Sequence, residues 1–240
     1  MIDYGKLTEE EFKAGQLLLI DKPLTWTSFD AVAKVRYAIR KKFNLKKLKV
    51  GHAGTLDPLA TGLLIICTGK FTKRIADLTV ENKTYTGTFT LGATTPSYDL
   101  ETETENHQST DDITDEMVKE AVSKMSGAIM QMPPVFSAKK VDGKRAYISA
   151  RKGKEVKLEA RPVIISKFEV DTSALPEVKF EIECSKGTYI RSIARDLGEA
   201  LECGAHLTEL RRTKIGDYSA ENAIDPVEFQ RLVQGNQEDV

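Results

Sequence analysis

Cysteine, histidine and tryptophan are scarce in this 240-residue chain, with three, three and one respectively. Cys67, Cys184 and Cys203 are odd in number and far apart, which excludes a disulfide framework and gives no zinc-ligand spacing. Only His52, His107 and His206 could be added to them, so no metal is expected. Long apolar runs are missing too. The N-terminus carries Asp3, Glu9, Glu10 and Glu11 where a signal peptide would carry cations, and no later segment is long enough to cross a bilayer. The expectation is a cytoplasmic protein with no membrane partner, its cysteines serving as small apolar residues. A phosphate loop is also absent. Lys70 follows Gly69, but Leu64 stands where such a loop needs glycine and Phe71 where it needs Ser or Thr. No nucleotide triphosphate site and no other cofactor is expected.

A large charge of either sign is lacking as well, the net being −1. That average hides strong segregation. Lys34, Arg36, Arg40, Lys41, Lys42, Lys46, Lys47 and Lys49 fall in one stretch without an acid, and Lys139, Lys140, Lys144, Arg145, Arg151, Lys152 and Lys154 form a second, broken only by Asp142. Asp99, Glu101, Glu103, Glu105, Asp111, Asp112, Asp115 and Glu116 make a separate acidic segment. Either basic run alone reads as solvated surface; two runs with the acids set apart read as a polarised face for RNA or DNA.

What the chain does have is Gly51-His52-Ala53-Gly54-Thr55-Leu56-Asp57-Pro58-Leu59-Ala60-Thr61-Gly62, followed by the apolar run Leu63 to Cys67. Glycines permit backbone angles and close approaches that a Cβ forbids, and Pro58 fixes φ just after the acid. Asp57 is thereby aimed by backbone beside a rigid buried strand, as a reacting carboxylate should be. An acid that only organises its own turn fits the same composition. His52 alone reads as a turn or surface residue, and gains interest only from its neighbour Asp57.

Apolar spacing predicts a strand from Gln16 to Asp21, and a basic amphipathic helix capped by Thr27 or Ser28 with Phe29, Val32, Val35 and Ile39 inward. Period-2 alternation predicts strands over Lys83 to Leu91, Val163 to Val170 and Val178 to Cys184. A helix is expected from about Thr114 to Ser126, ended by Gly127, and another from about Tyr189 to Leu201. Arg191 falls in the first turn of the latter, where the helix dipole disfavours a cation, so an anion is expected nearby. The order of elements indicates α+β with a mixed, mainly antiparallel sheet.

Together with Asp21-Lys22-Pro23, Thr27-Ser28, Lys83-Thr84-Tyr85, Pro133-Pro134, Ser137-Ala138-Lys139-Lys140, Gly187-Thr188-Tyr189-Ile190-Arg191 and Leu210-Arg211-Arg212, the Gly51 to Gly62 motif closely resembles the TruB family of tRNA pseudouridine synthases. The resemblance runs from about Leu17 to Tyr218. It implies a pseudouridine-synthase fold with a mixed, mainly antiparallel central sheet, flanking helices and an RNA-gripping insertion at about 130–155. The implied reaction isomerises uridine 55 in the tRNA T-loop without cofactor, metal or obligate protein partner. By position, Asp57 matches the catalytic aspartate, Tyr85 the tyrosine that stacks on the base, and Arg191 the arginine paired with the aspartate. His52, Tyr189 and Leu210 match residues lining the RNA site, and Lys22 a backbone-side contact.

The chain departs from the family at Thr25, where many members have glycine, and after Tyr218, where a short tail replaces the C-terminal RNA-binding domain of many relatives. A single catalytic domain over residues 1–240 is therefore expected. The alternative reading is an RNA-binding, tRNA-folding chaperone with little catalysis; an enzyme acting on another RNA within a guide-RNA complex is a further one.

Overall fold

The computed structural model describes residues 3–135 and 158–235, with the backbone of two short strands between them. The side chains of the second basic stretch, and most of the insertion expected at 130–155, lie outside the described residues. In chain order the elements begin with α1 (Glu9–Ala14), β1 (Leu17–Lys22), α2 (Ser28–Lys42), β2 (Val50–Ala53), β3 (Ala60–Thr68), α3 (Ile75–Val80) and β4 (Lys83–Leu91). Next come α4 (Asp115–Lys124), β5 (Gly127–Gln131), β6 (Lys140–Val141), β7 (Lys144–Arg145), β8 (Arg161–Ala174) and β9 (Glu177–Cys184). The chain closes with α5 (Ile190–Ala200), β10 (Ala205–Ile215), β11 (Tyr218–Ser219) and α6 (Pro226–Gln234).

Two compact units result, one from Met1–Thr84 with Arg211–Val240 and the other from Tyr85–Leu210. In the first, β3 pairs antiparallel with β1 on one edge, from Leu17↔Cys67 to Lys22↔Gly62, and with β2 on the other, from Val50↔Thr68 to Ala53↔Ile65. Both faces of β3 are covered, which explains its unbroken apolar run. Leu64 and Ile66 pack with Leu18 and Ile20 against Val32, Val35 and Ile39 of α2 and Phe229 and Val233 of α6. Leu63, Ile65 and Cys67 face Leu78 and Ile215.

In the second unit β9 and β5 flank β8, both antiparallel to it. Phe89, Phe180 and Ile182 pack against Val118 and Val122 of α4 and Ile193, Ala194 and Leu197 of α5. Phe89 and Phe180 stack with centroids 4.1 Å apart. The architecture is α+β with a mixed, mainly antiparallel central sheet, as the order of elements indicates.

Seven expected elements recur within a few residues: the helices now α2, α4 and α5, and the strands β1, β4, β8 and β9. The segment after Tyr218 is more than a tail. Asp225 caps α6 through the backbone N–H groups of Val227 and Glu228, Pro226 opens the helix, and Phe229 is fully buried.

Candidate active site

Asp57 sits half-buried on the loop between β2 and β3, and its flanking peptides are held from three directions. The Ser28 hydroxyl, at the start of α2, donates to the Leu56 carbonyl (3.1 Å) and accepts from the Leu56 N–H (2.8 Å). The Pro58 carbonyl accepts from the Thr25 N–H at 2.9 Å and from Lys22 Nζ at 3.4 Å. Arg212, 1% exposed, donates through Nη2 to the Gly54 carbonyl (3.1 Å) and through Nε to the Leu63 carbonyl (2.7 Å). Gly62 holds φ +100°, and a Cβ there would lie 2.3 Å from the Arg212 carbonyl oxygen, so only glycine allows this approach. Buried hydrogen bonds on both sides of the acid make the loop a rigid mount.

The turn before α2 places a residue other than glycine in a left-handed conformation. Thr25 adopts φ +69°, a left-handed angle that costs a β-branched residue about 1–2 kcal/mol. Thr25→Gly is expected to raise the unfolding free energy by about 1 kcal/mol, because relief of strain exceeds the entropy glycine adds to the unfolded chain. Urea unfolding measures this; a less stable variant would show that the turn is not strained.

Lys22 is fully buried, its ammonium donating to the carbonyls of Pro23 (2.9 Å) and Trp26 (2.6 Å) as well as Pro58. An enclosed ammonium saturated by carbonyls ties the turn to the Asp57 loop and does not face an RNA backbone, the role its position in the motif implied. Burial pushes its pKa down to about 8, against the pull of Asp57 and with a further push from Arg212. The unfolded chain keeps this proton up to the ordinary value of 10.5, so the contribution of Lys22 to stability grows as pH increases from about 8 to 10.5 and is constant below. That contribution should reach a slope of about 1.4 kcal/mol per pH unit and be missing from Lys22→Met, where the raised thiols of Cys67 and Cys203 still act in the opposite sense. Unfolding curves across this window check it, and equal slopes in parent and variant would contradict it.

His52, on β2, is half-buried, and burial lowers its pKa, reinforced by Arg212, so the ring is neutral at pH 7. The first unit thus gathers Lys22, His52 and Asp57 around Arg212, whose part in the site was not foreseen.

The remaining candidates belong to the second unit. Arg191, 4% exposed in the first turn of α5, has the expected anion beside it: Asp99 Oδ2 lies 3.6 Å from its Nε. Its Nη1 donates to the Ser97 carbonyl at 3.2 Å. Asp99 is 5% exposed and so differs from the solvated acids among which the sequence placed it. Its carbonyl accepts from the hydroxyls of Thr95 (2.8 Å) and Ser97 (3.0 Å). Leu207 N–H binds the Tyr98 carbonyl at 2.9 Å. Tyr189 caps α5, its backbone clamped by the Gln131 amide at 2.8 and 3.0 Å. The Arg161 guanidinium stands 4.6 Å from the Tyr189 ring centroid. Tyr85 and Leu210 are half-buried against the second core. Among the described residues no three His, Cys, Asp or Glu are grouped to hold a metal.

Residues 40–190 match the family profile described as TruB family pseudouridylate synthase (N terminal domain), and residues 191–239 that of the tRNA pseudouridylate synthase B C-terminal domain. These matches define the class: an enzyme that isomerises uridine to pseudouridine. A protein of Flavobacterium johnsoniae named tRNA pseudouridine synthase B is 56% identical over 95% of this chain and 100% of its own length. One of the same name from Phocaeicola vulgatus is 56% identical over 91% of this chain and 93% of its own. Among solved structures, one described as a Cbf5-Nop10-Gar1 complex superposes with a TM-score of 0.67 at 28% identity, over 93% of this chain. The present chain spans 56% of that one. The chain belongs to the TruB family of pseudouridylate synthases.

Proposed function

We propose that the chain converts uridine 55 in the T-loop of tRNA to pseudouridine, in the cytoplasm and without cofactor, with Asp57 as nucleophile. The observation that carries this is the fixed mount of Asp57, with Ser28, Lys22 and Arg212 holding the peptides on either side. The glycosidic bond from C1′ to N1 breaks, the uracil turns, and a bond forms from C1′ to C5; the C5 proton leaves and N1 gains one, so nothing is oxidised or reduced. An ionised carboxylate attacks at uracil C6 or sugar C1′, and the Arg191 guanidinium pairs with it to keep it charged.

Tyr85 offers a π face to the extracted base. Neutral His52 fills the space the base leaves, while Tyr189 and Leu210 line the RNA site. The names of the relatives support tRNA as substrate. An isolated T-arm hairpin should be turned over and an anticodon-arm hairpin should not. Modification of both, or of neither, would overturn recognition of the T-arm.

A further inference from the structure

Through Ser28, α2 abuts the Asp57 loop, then continues for 15 residues, about 22 Å. Its stripe of Ala31, Val32, Val35, Ala38 and Ile39 is buried, leaving the opposite face to solvent. That face carries two large aromatics, Tyr37 at 52% exposure and Phe29 at 65%, the latter expected inward from its spacing but displayed to solvent. Arg36 lies 5.8 Å from the Phe29 ring centroid and Lys41 6.0 Å from that of Tyr37. Arg40, Lys41 and Lys42 are exposed in the last turn, followed by exposed Lys46, Lys47 and Lys49.

Among the described residues, none of the eight cations from Lys34 to Lys49 forms an ion pair. Elsewhere helical cations are paired: Lys119 with Asp115, Lys124 with Glu120, Arg231 with Glu228. The helix dipole accounts for cations in the last turn of α2. It accounts neither for an acid-free sequence from Ala31 to Val50 nor for like charges one turn apart at Arg36 and Arg40, which repel. A stiff polyanion relieves that repulsion. A bilayer is a poor fit, because the aliphatic stripe it would receive is already buried in the core and only Phe29 and Tyr37 remain exposed among the cations.

We propose that this face of α2 binds the phosphate backbone of a base-paired stem of the RNA substrate, independently of its sequence. The inference rests on the tRNA reading above for its partner. Its test is the salt dependence of binding to an unmodified tRNA, compared between the parent and Arg36→Gln/Arg40→Gln/Lys41→Gln. The slope of log K against log salt should fall by about 2–3, with roughly 0.7–0.9 lost per phosphate contact. The rate at saturating tRNA should stay unchanged and the melting temperature should fall only slightly, since Arg36 is partly exposed, Arg40 and Lys41 are exposed, and the hydrogen bond lost is that of Arg40 Nε to the Leu45 carbonyl (3.0 Å).

Exchange of base pairs in the stem should leave parental affinity unaltered. An unchanged salt slope, a dependence on stem sequence, or charge-dependent capture by anionic vesicles in place of tRNA would each overturn the proposal. The slope needs no turnover, so a parent that binds tRNA but makes no pseudouridine would refute the catalytic reading alone.

Discussion

Asp57→Asn is expected to bind tRNA as the parent does and to make almost no pseudouridine. The amide fills the same volume but is a far weaker nucleophile, so the rate of the chemical step should fall by roughly 10⁴-fold or more. The loop should keep its place, although the buried Lys22 ammonium loses the pull of the Asp57 charge. The bonds that fix the loop run from the backbone of Gly54, Leu56, Pro58 and Leu63 to Arg212, Ser28, Lys22 and Thr25, and none of these uses the carboxylate. Nucleoside analysis of tRNA after single-turnover incubation measures the loss. Near-parental yield would remove Asp57 from the nucleophile's role and leave it as an organiser of its turn.

Asp99→Ala is expected to damage both stability and activity. The pair it forms with Arg191 has both side chains almost wholly enclosed, and removing Asp99 deprives a guanidinium held away from water of this carboxylate. Breaking such a pair costs about 3–5 kcal/mol. The guanidinium, held now by the Ser97 carbonyl, would also lose the orientation that the carboxylate gives it. Denaturant unfolding and single-turnover rates should fall together in this variant. Arg191→Lys separates the two effects: a point ammonium keeps the charge beside Asp99 but not the planar fork, so it should lose more rate than RNA affinity. Equal losses in rate and affinity would make Arg191 an RNA contact.

The candidate residues of the two units were unequally legible in the sequence. Asp57 and its glycines lie within twelve consecutive residues, so the loop, its fixed acid and the following strand could be read from local rules alone. The dipole argument at Arg191 called for an anion, yet could not name Asp99, which lies 92 residues earlier in the chain and is brought to Arg191 only by folding. Lys22 and Arg212 were illegible for a different reason. Lysine and arginine are almost never fully buried, and nothing in their neighbours signals that backbone carbonyls will saturate them. Buried Arg212 and His206 also broke the apolar period of β10, which hid that strand. The start of α6 did carry a signal, Asp225-Pro226 ahead of Phe229 and Val233, spaced four apart.

Release of tritium from C5-labelled uridines tests the central claim most directly, with the parent protein acting on an unmodified tRNA and on the same tRNA carrying cytidine at position 55. The expected result is one triton released per molecule of the first and none from the second. Equal release from both, or none from a tRNA that binds, would contradict it.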